Sequence, residues 1–167
     1  MHQPIEETLF ESIFAREYRG VVNAARRIVG IAAAEDIAQD AFAAFYRLGP
    51  TDQAHARNWL YRTTMHRAIS TVRTNKRRQA RETSVDDPRA GSIEPSDYLE
   101  RRELREEVRA VLRRIHARYA IVLALRHSGL SYKEIASIMD IKVNQVGTLL
   151  VRAEAAFKKE LDRVTSR

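Results

Sequence analysis

The large apolar residues of this chain return at three- and four-residue intervals, and no stretch alternates convincingly as a strand would, so the sequence can fold only as packed helices. Ile13, Phe14, Val21, Val22, Ala25 and Ile28 form one stripe. Ile37, Ala41, Ala44, Phe45 and Leu48 form a second after Gly30, and a third helix fits Arg57 to about Arg78, where Leu60, Thr64, Ala68 and Val72 step by four beside Trp59 and Ile69. Gly49, Pro50, Pro88, Gly91 and Pro95 fall between such stripes, where they punctuate helices without breaking them.

At 167 residues the chain makes one ordinary domain or two small ones. Residues 79–96 decide for two, because they hold Ser84, Asp86, Asp87, Pro88, Gly91, Ser92 and Pro95 with only Val85 and Ile93 as large apolar residues. The expected fold is therefore all-α, with small helical domains at 8–78 and 97–163 joined by a flexible acidic linker at 79–96. The second domain opens near Asp97, whose spacing to Glu100 suits a reciprocal cap, and continues through Val108, Val111, Leu112 and Ile115. A short helix from about Arg118 to His127 then stops at Ser128-Gly129. Each half is near the lower limit for an independent core, so contacts with a partner are expected to add stability.

Charge is arranged in blocks. Residues 1–56 carry 5 basic and 8 acidic side chains, 57–81 carry 8 basic and none acidic, 82–100 carry 1 and 6, and 101–167 carry 15 and 8, giving +7 overall. A 25-residue segment with eight uncompensated cations calls for a polyanion, and nucleic acid is the common one; a solvated basic face is the plainer alternative.

Several function classes drop out. With no Cys there is no thiol chemistry, disulfide or Cys-ligated metal. The longest apolar run, Tyr119 to Leu125, is seven residues against the roughly 20 that span a bilayer. The N-terminus lacks a secretion signal, so a cytoplasmic protein is expected. His2, His55, His66, His116 and His127 make no i,i+4 pair, and neither a phosphate-binding Gly loop nor a Ser/His/Asp grouping is present. Asp36 and Asp40 lack accompanying metal ligands. No catalytic residue, cofactor or metal is expected.

Leu130-Ser131-Tyr132-Lys133-Glu134-Ile135-Ala136-Ser137-Ile138-Met139-Asp140-Ile141-Lys142-Val143-Asn144-Gln145-Val146 reads as a helix-turn-helix. Ser131 and Glu134 have capping-box spacing, Ala136 allows a close crossing, and Val146, Leu149, Ala153 and Phe157 stripe the second helix. Asp140 occupies the turn position often held by Gly. An ordinary helical hairpin is the alternative.

Taken together, the halves resemble the extracytoplasmic-function sigma factors of the sigma-70 superfamily, over about residues 10–162. The resemblance rests on Ala34-Glu35-Asp36-Ile37-Ala38-Gln39-Asp40-Ala41-Phe42-Ala43-Ala44-Phe45-Tyr46-Arg47, on Ala56-Arg57-Asn58-Trp59-Leu60-Tyr61-Arg62, and on Gly129-Leu130-Ser131-Tyr132-Lys133-Glu134-Ile135-Ala136. It implies that Asp36, Gln39, Asp40 and Phe42 bind the clamp helices of the largest subunit of core RNA polymerase. A helix-dipole role for Glu35 and Asp36 and a core role for Phe42 stand beside that reading. The resemblance also implies that the helix from Arg57 to Arg78, with the loop Gly49–Ala56, holds the melted minus-ten strand, with Arg57, Arg62, Arg67, Arg73, Lys76, Arg77 and Arg78 on phosphates. Trp59 reads as a core residue before a stacking platform. His66 and Ser70 stand where the family often has Asn and Asp.

In the second half the resemblance implies that minus-thirty-five duplex is read from the helix at about Val143–Leu161 by Asn144, Gln145, Thr148 and Arg152, with Lys133 and Lys142 on phosphates. Leu150 replaces a common Lys; it reads either as an apolar contact to a thymine methyl or as a sign of weak duplex binding helped by the polymerase's beta flap. The acidic linker, through Asp86, Asp87, Glu94 and Asp97, would mimic phosphates in the polymerase channel, or serve only as a tether. Implied partners are core polymerase, promoter DNA and an anti-sigma inhibitor, with a monomer when free. The competing classes are a stand-alone dimeric helix-turn-helix regulator and a helical adaptor that never touches DNA.

Overall fold

The computed structural model describes residues 5–81 and 96–166, with the side chains of Ser96 and Asp97 outside that description. The linker residues Asp86, Asp87 and Glu94 and the expected Asp97–Glu100 cap thus lie outside the described residues. Among the described residues the structure is helical throughout: α1 Glu7–Val29, α2 Ile31–Leu48, α3 Gln53–Arg81, α4 Ser96–Leu112, α5 Ala117–His127, α6 Tyr132–Met139 and α7 Val143–Thr165. No described helix is long and apolar enough to cross a membrane.

The first three helices pack around Ile13, Val21, Ile28, Phe42, Phe45, Leu60, Tyr61 and Met65, all essentially sealed from solvent. A single residue, Gly30, both ends α1 and starts α2; its φ of 86° is open to glycine and strained for other residues. Gly20 serves a different need. A Cβ there would lie 2.2 Å from the Tyr61 hydroxyl, so its absence lets α1 and α3 close on each other. Phe10, Phe14, Tyr18 and Phe42 form an aromatic cluster between α1 and α2, with Phe14 and Phe42 edge-to-face at 5.0 Å.

α3 starts four residues before the expected Arg57. Asp52 causes this: its carboxylate accepts from the Ala54 N–H at 2.9 Å and its carbonyl accepts from the Ala56 N–H, which caps the helix at Gln53. The loop expected at Gly49–Ala56 shrinks accordingly to Gly49–Asp52. At its far end α3 continues through Gln79 and Ala80 to Arg81.

The second half builds on α5, whose Ala120, Val122, Leu123, Ala124 and Leu125 are buried against α6 and α7. The Ser131–Glu134 capping box forms as expected: the Ser131 hydroxyl accepts from the Glu134 N–H at 3.3 Å and Glu134 accepts from the Ser131 N–H at 2.7 Å. Asp140 ends α6 in the left-handed conformation, φ 55°.

The two halves pack on each other, α1 against α4 and α5, and α3 against α6. Three arginines hold the seam by donating to carbonyls at helix C-termini of the opposite half. Arg62 Nε meets the Ile138 carbonyl of α6 at 2.9 Å, Arg113 Nε meets the Ile28 carbonyl of α1 at 3.0 Å, and Arg27 meets the His127 carbonyl of α5. Such carbonyls lack helix partners and carry the negative end of the dipole, which suits a guanidinium.

Candidate nucleic-acid interface

α2 turns its acidic residues outward because Ile37, Ala38, Ala41, Phe42 and Phe45 take the buried side. Asp36, Gln39 and Asp40 are exposed on one face, followed along it by Ala43 and Tyr46. Phe42 does not join them. It is 2% exposed, packed on Phe14 and Tyr18, and its place is the core.

α3 exposes Arg62, Arg67 and Arg73, whereas Arg57 sits half-buried on the same side as Leu60, Tyr61 and Thr64. Arg67 reaches back toward Asp40 at 3.9 Å, so the acidic face of α2 and the cationic face of α3 are contiguous. From Arg73 onward every α3 residue is exposed, including Lys76, Arg77 and Arg78. Trp59 is half-buried against Phe45, ring centroids 5.8 Å apart. Its other side lines a shallow groove with Arg62, Thr63, His66, Arg67 and Ser70. His66 and Ser70 therefore border the same groove as the indole.

Arg57 is the most constrained cation of the set. Its Nε meets Glu17 at 3.1 Å, a terminal nitrogen pairs with Glu134 across the seam, and the guanidinium lies over the Tyr61 ring, 5.6 Å from its centroid. Burial works against the Arg57 charge, but Glu134 and Glu17 outweigh it and raise its pKa above the ordinary arginine value. Glu134 is held down to about 2, first by the Ser131 N–H and then by Arg57. Tyr61 is pushed up by its burial.

Glu17, which the sequence does not single out, is the buried partner of Arg57. It is a buried carboxylate bridging Arg16, at 2.9 Å, and Arg57. The signal was available, since an acid interrupts the i,i+4 apolar stripe Ile13–Glu17–Val21.

On α7, Val146, Leu150 and Ala153 face the core. Leu150 is 4% exposed, which removes it from any contact with DNA and corrects its reading as a thymine-methyl contact. The neighbouring Val151 is 67% exposed and shares an outward face with Asn144, Thr148 and Arg152. Lys133, Lys142 and Gln145 are exposed too; Gln145 uses its carbonyl oxygen on the Lys142 N–H at 3.0 Å, leaving its amide NH₂ outward as a donor. Among the described residues no group of His, Asp and Glu is placed to hold a metal ion.

Comparison with known proteins bears on the family and the fold. Residues 13–78 match the model for sigma-70 region 2 and residues 105–157 the model for sigma-70 region 4. RNA polymerase sigma factor YlaC of Bacillus subtilis (strain 168) is 30% identical over 159 residues, covering 92% of each chain. The fold is similar to CnrH, solved in complex with the cytosolic domain of CnrY, at a TM-score of 0.62 with 22% identity over 95% of this chain and 90% of that one. It is also similar to the sigma factor RpoE, co-crystallised with the anti-sigma factor NepR from Bartonella quintana, at a TM-score of 0.53 with 16% identity over 92% and 96%. The region 2 match over residues 13–78 reads the first half as a sigma region, which does not favour a stand-alone regulator. A region 2 bundle followed by a region 4 helix-turn-helix, aligned end to end with a bacterial sigma factor, places the chain in the sigma-70 superfamily as an extracytoplasmic-function RNA polymerase sigma factor.

Proposed function

We propose that 8–78 and 97–163 divide the work of promoter recognition, with α2 docking on polymerase, α3 holding the melted minus-ten strand and α7 reading the minus-thirty-five duplex. The observation that carries this is the separation of two outward faces, the acid-free cation row of α3 and the Asn144–Thr148–Val151–Arg152 face of α7, on two helical units. Asp36, Gln39 and Asp40 meet cationic residues of the clamp helices. Arg57, Arg62, Arg67, Arg73, Lys76, Arg77 and Arg78 neutralise strand phosphates, and the Trp59 groove receives a base. Asn144, Gln145, Thr148, Val151 and Arg152 face base edges, while Lys133 and Lys142 touch phosphates.

In this reading the protein is a non-catalytic, cytoplasmic specificity subunit, monomeric when free. An anti-sigma protein is its regulator, as the CnrY and NepR complexes of its structural relatives suggest. A groove of about 720 Å³, lined by Ile31, Tyr98, Leu104 and Phe157 together with Arg26, Arg102 and Arg105, suits an amphipathic segment of such a partner.

Run-off transcription on a genomic promoter library with bacterial core polymerase tests the division. New start sites sharing two short elements at fixed spacing are expected, with Asp36→Arg/Asp40→Arg losing activity through core binding and Arg152→Ala losing it through the upstream element. Activity unchanged in both variants would refute the assignment.

A further inference from the structure

The start of α5 brings charge that neither proposed recognition face uses. There His116 and Arg118 line a cleft of about 590 Å³ together with Arg62, His66 and Arg73 of α3. The side chains of Arg73 and Arg118 have no hydrogen-bond or ion-pair partner among the described residues. Arg62 spends two N–H groups on the Ile138 and Ser137 carbonyls and keeps the rest of its fork. His116 Nδ1 accepts from the Arg118 backbone N–H at 3.2 Å, so the neutral ring carries its proton on Nε2, as a further donor. Cations gathered in a cleft focus their field on it, and a polyphosphate is the small anion that can meet several guanidiniums at once.

Two other features of the lining select what the phosphates are attached to. Ile121 and Met139, both half-buried, give an apolar surface on which a flat ring can lie. Asp140 is the one carboxylate in the lining, and its side chain has no partner among the described residues. A carboxylate only accepts, so it favours a base edge with two adjacent N–H donors. Guanine has such an edge in N1–H and N2–H, whereas adenine sets an acceptor beside its N–H and would be repelled. The volume lies within the range of about 300–1,000 Å³ usual for small-molecule sites. We propose that this cleft binds a guanine nucleotide carrying two or more phosphates, the phosphates on Arg62, Arg73 and Arg118 and the base on Asp140. Such a ligand contacts both halves of the chain at once. The site does not depend on where the DNA strand lies, since it belongs to the free protein.

Calorimetric titration of the full-length protein with GTP, ATP and inorganic tripolyphosphate, at roughly physiological salt, tests the proposal. GTP should bind at least about tenfold more tightly than ATP, the discrimination of one good bidentate pair, and at least about tenfold more tightly than tripolyphosphate, which has the charge without the base. Arg118→Glu, a change at an exposed side chain in the first turn of α5 where an acid suits the helix, should weaken GTP at least about tenfold. Lys159→Glu makes the same charge change on α7 and should alter binding less than about twofold. Asp140→Asn, which tolerates the left-handed turn, should bring GTP and ATP within about threefold of each other. Tripolyphosphate binding as tightly as GTP, equal losses in Arg118→Glu and Lys159→Glu, or a GTP preference that survives Asp140→Asn overturns the site, as does the absence of GTP binding at about 1 mM.

Discussion

Gly20→Ala tests whether α1 and α3 are set at their observed separation by the Tyr61 hydroxyl. In an exposed helix interior the change would add about 1 kcal/mol of stability through helix propensity. Here the new methyl would sit 2.2 Å from the hydroxyl of a side chain only 2% exposed, with nowhere to move. Overpacking of that kind costs about 1–3 kcal/mol, so the net expectation is a loss of about 1 kcal/mol. Tyr61→Phe removes the colliding atom and leaves the ring carbon at 3.4 Å, an ordinary contact. In that background Gly20→Ala should recover its propensity gain. The coupling in the double-mutant cycle is then about 2 kcal/mol, and Gly20→Ala alone should lower Tm by about 2–4 °C for a chain of this size. Urea and thermal unfolding of the four proteins measure it. A coupling below about 0.5 kcal/mol, the range of ordinary additivity, would refute the claim. The result bears on function because Arg57 rests on the Tyr61 ring.

Leu150→Ala should cost about 2–5 kcal/mol of stability as a core truncation, whereas Val151→Ala should stay within about 0.5 kcal/mol. If Val151 contacts a thymine methyl, replacing each upstream-element thymine by uracil should weaken binding by the native protein at one position and leave Val151→Ala indifferent there; equal responses would exclude the contact. Asp140→Gly should add about 1 kcal/mol of stability and so raise the urea midpoint, since it relieves a left-handed non-glycine residue, and a lowered midpoint would mean that the carboxylate contributes more than the backbone loses. Glu134 has a folded-state pKa of about 2 against an ordinary 4.5, so its contribution is full above about pH 4.5 and fades as pH falls toward 2. The stability gap between native protein and Glu134→Gln should narrow across that window, and a constant gap would show that the carboxylate charge is not what matters.

The helices were legible because each buries one stripe, and a stripe is written in the sequence as a period. The capping box at Ser131–Glu134 and the strained turn at Asp140 were legible for the same reason, a local interaction leaving a local signature. The start of α3 was not, because Gln53–Ala56 shows no apolar period and the cap comes from one Asp52 side chain. Leu149 and Leu150 sit side by side, so the α7 stripe fits two registers; only packing shows that Val146, Leu150 and Ala153 take the inside and Val151 the outside. The seam was illegible altogether. Arginines bonding to carbonyls some 76 to 100 positions away need no partner side chain, and so leave nothing in the sequence to pair them with.

The last turns of α3 carry a consequence of their own. Burial along this 29-residue helix ends at Ile69 and its half-buried neighbours Thr71 and Val72, so Arg73 to Arg81 hold their shape by continuing a helix already nucleated. A residue there rises 1.5 Å while helical and about 3.4 Å when extended. Each one that unwinds therefore lengthens the span to α4 by about 2 Å without disturbing a core contact, and the nine together supply roughly 17 Å. Arg73, Lys76, Arg77 and Arg81 on this stretch repel one another unless anions lie between them, so the ionic surroundings bear on how much of it stays helical.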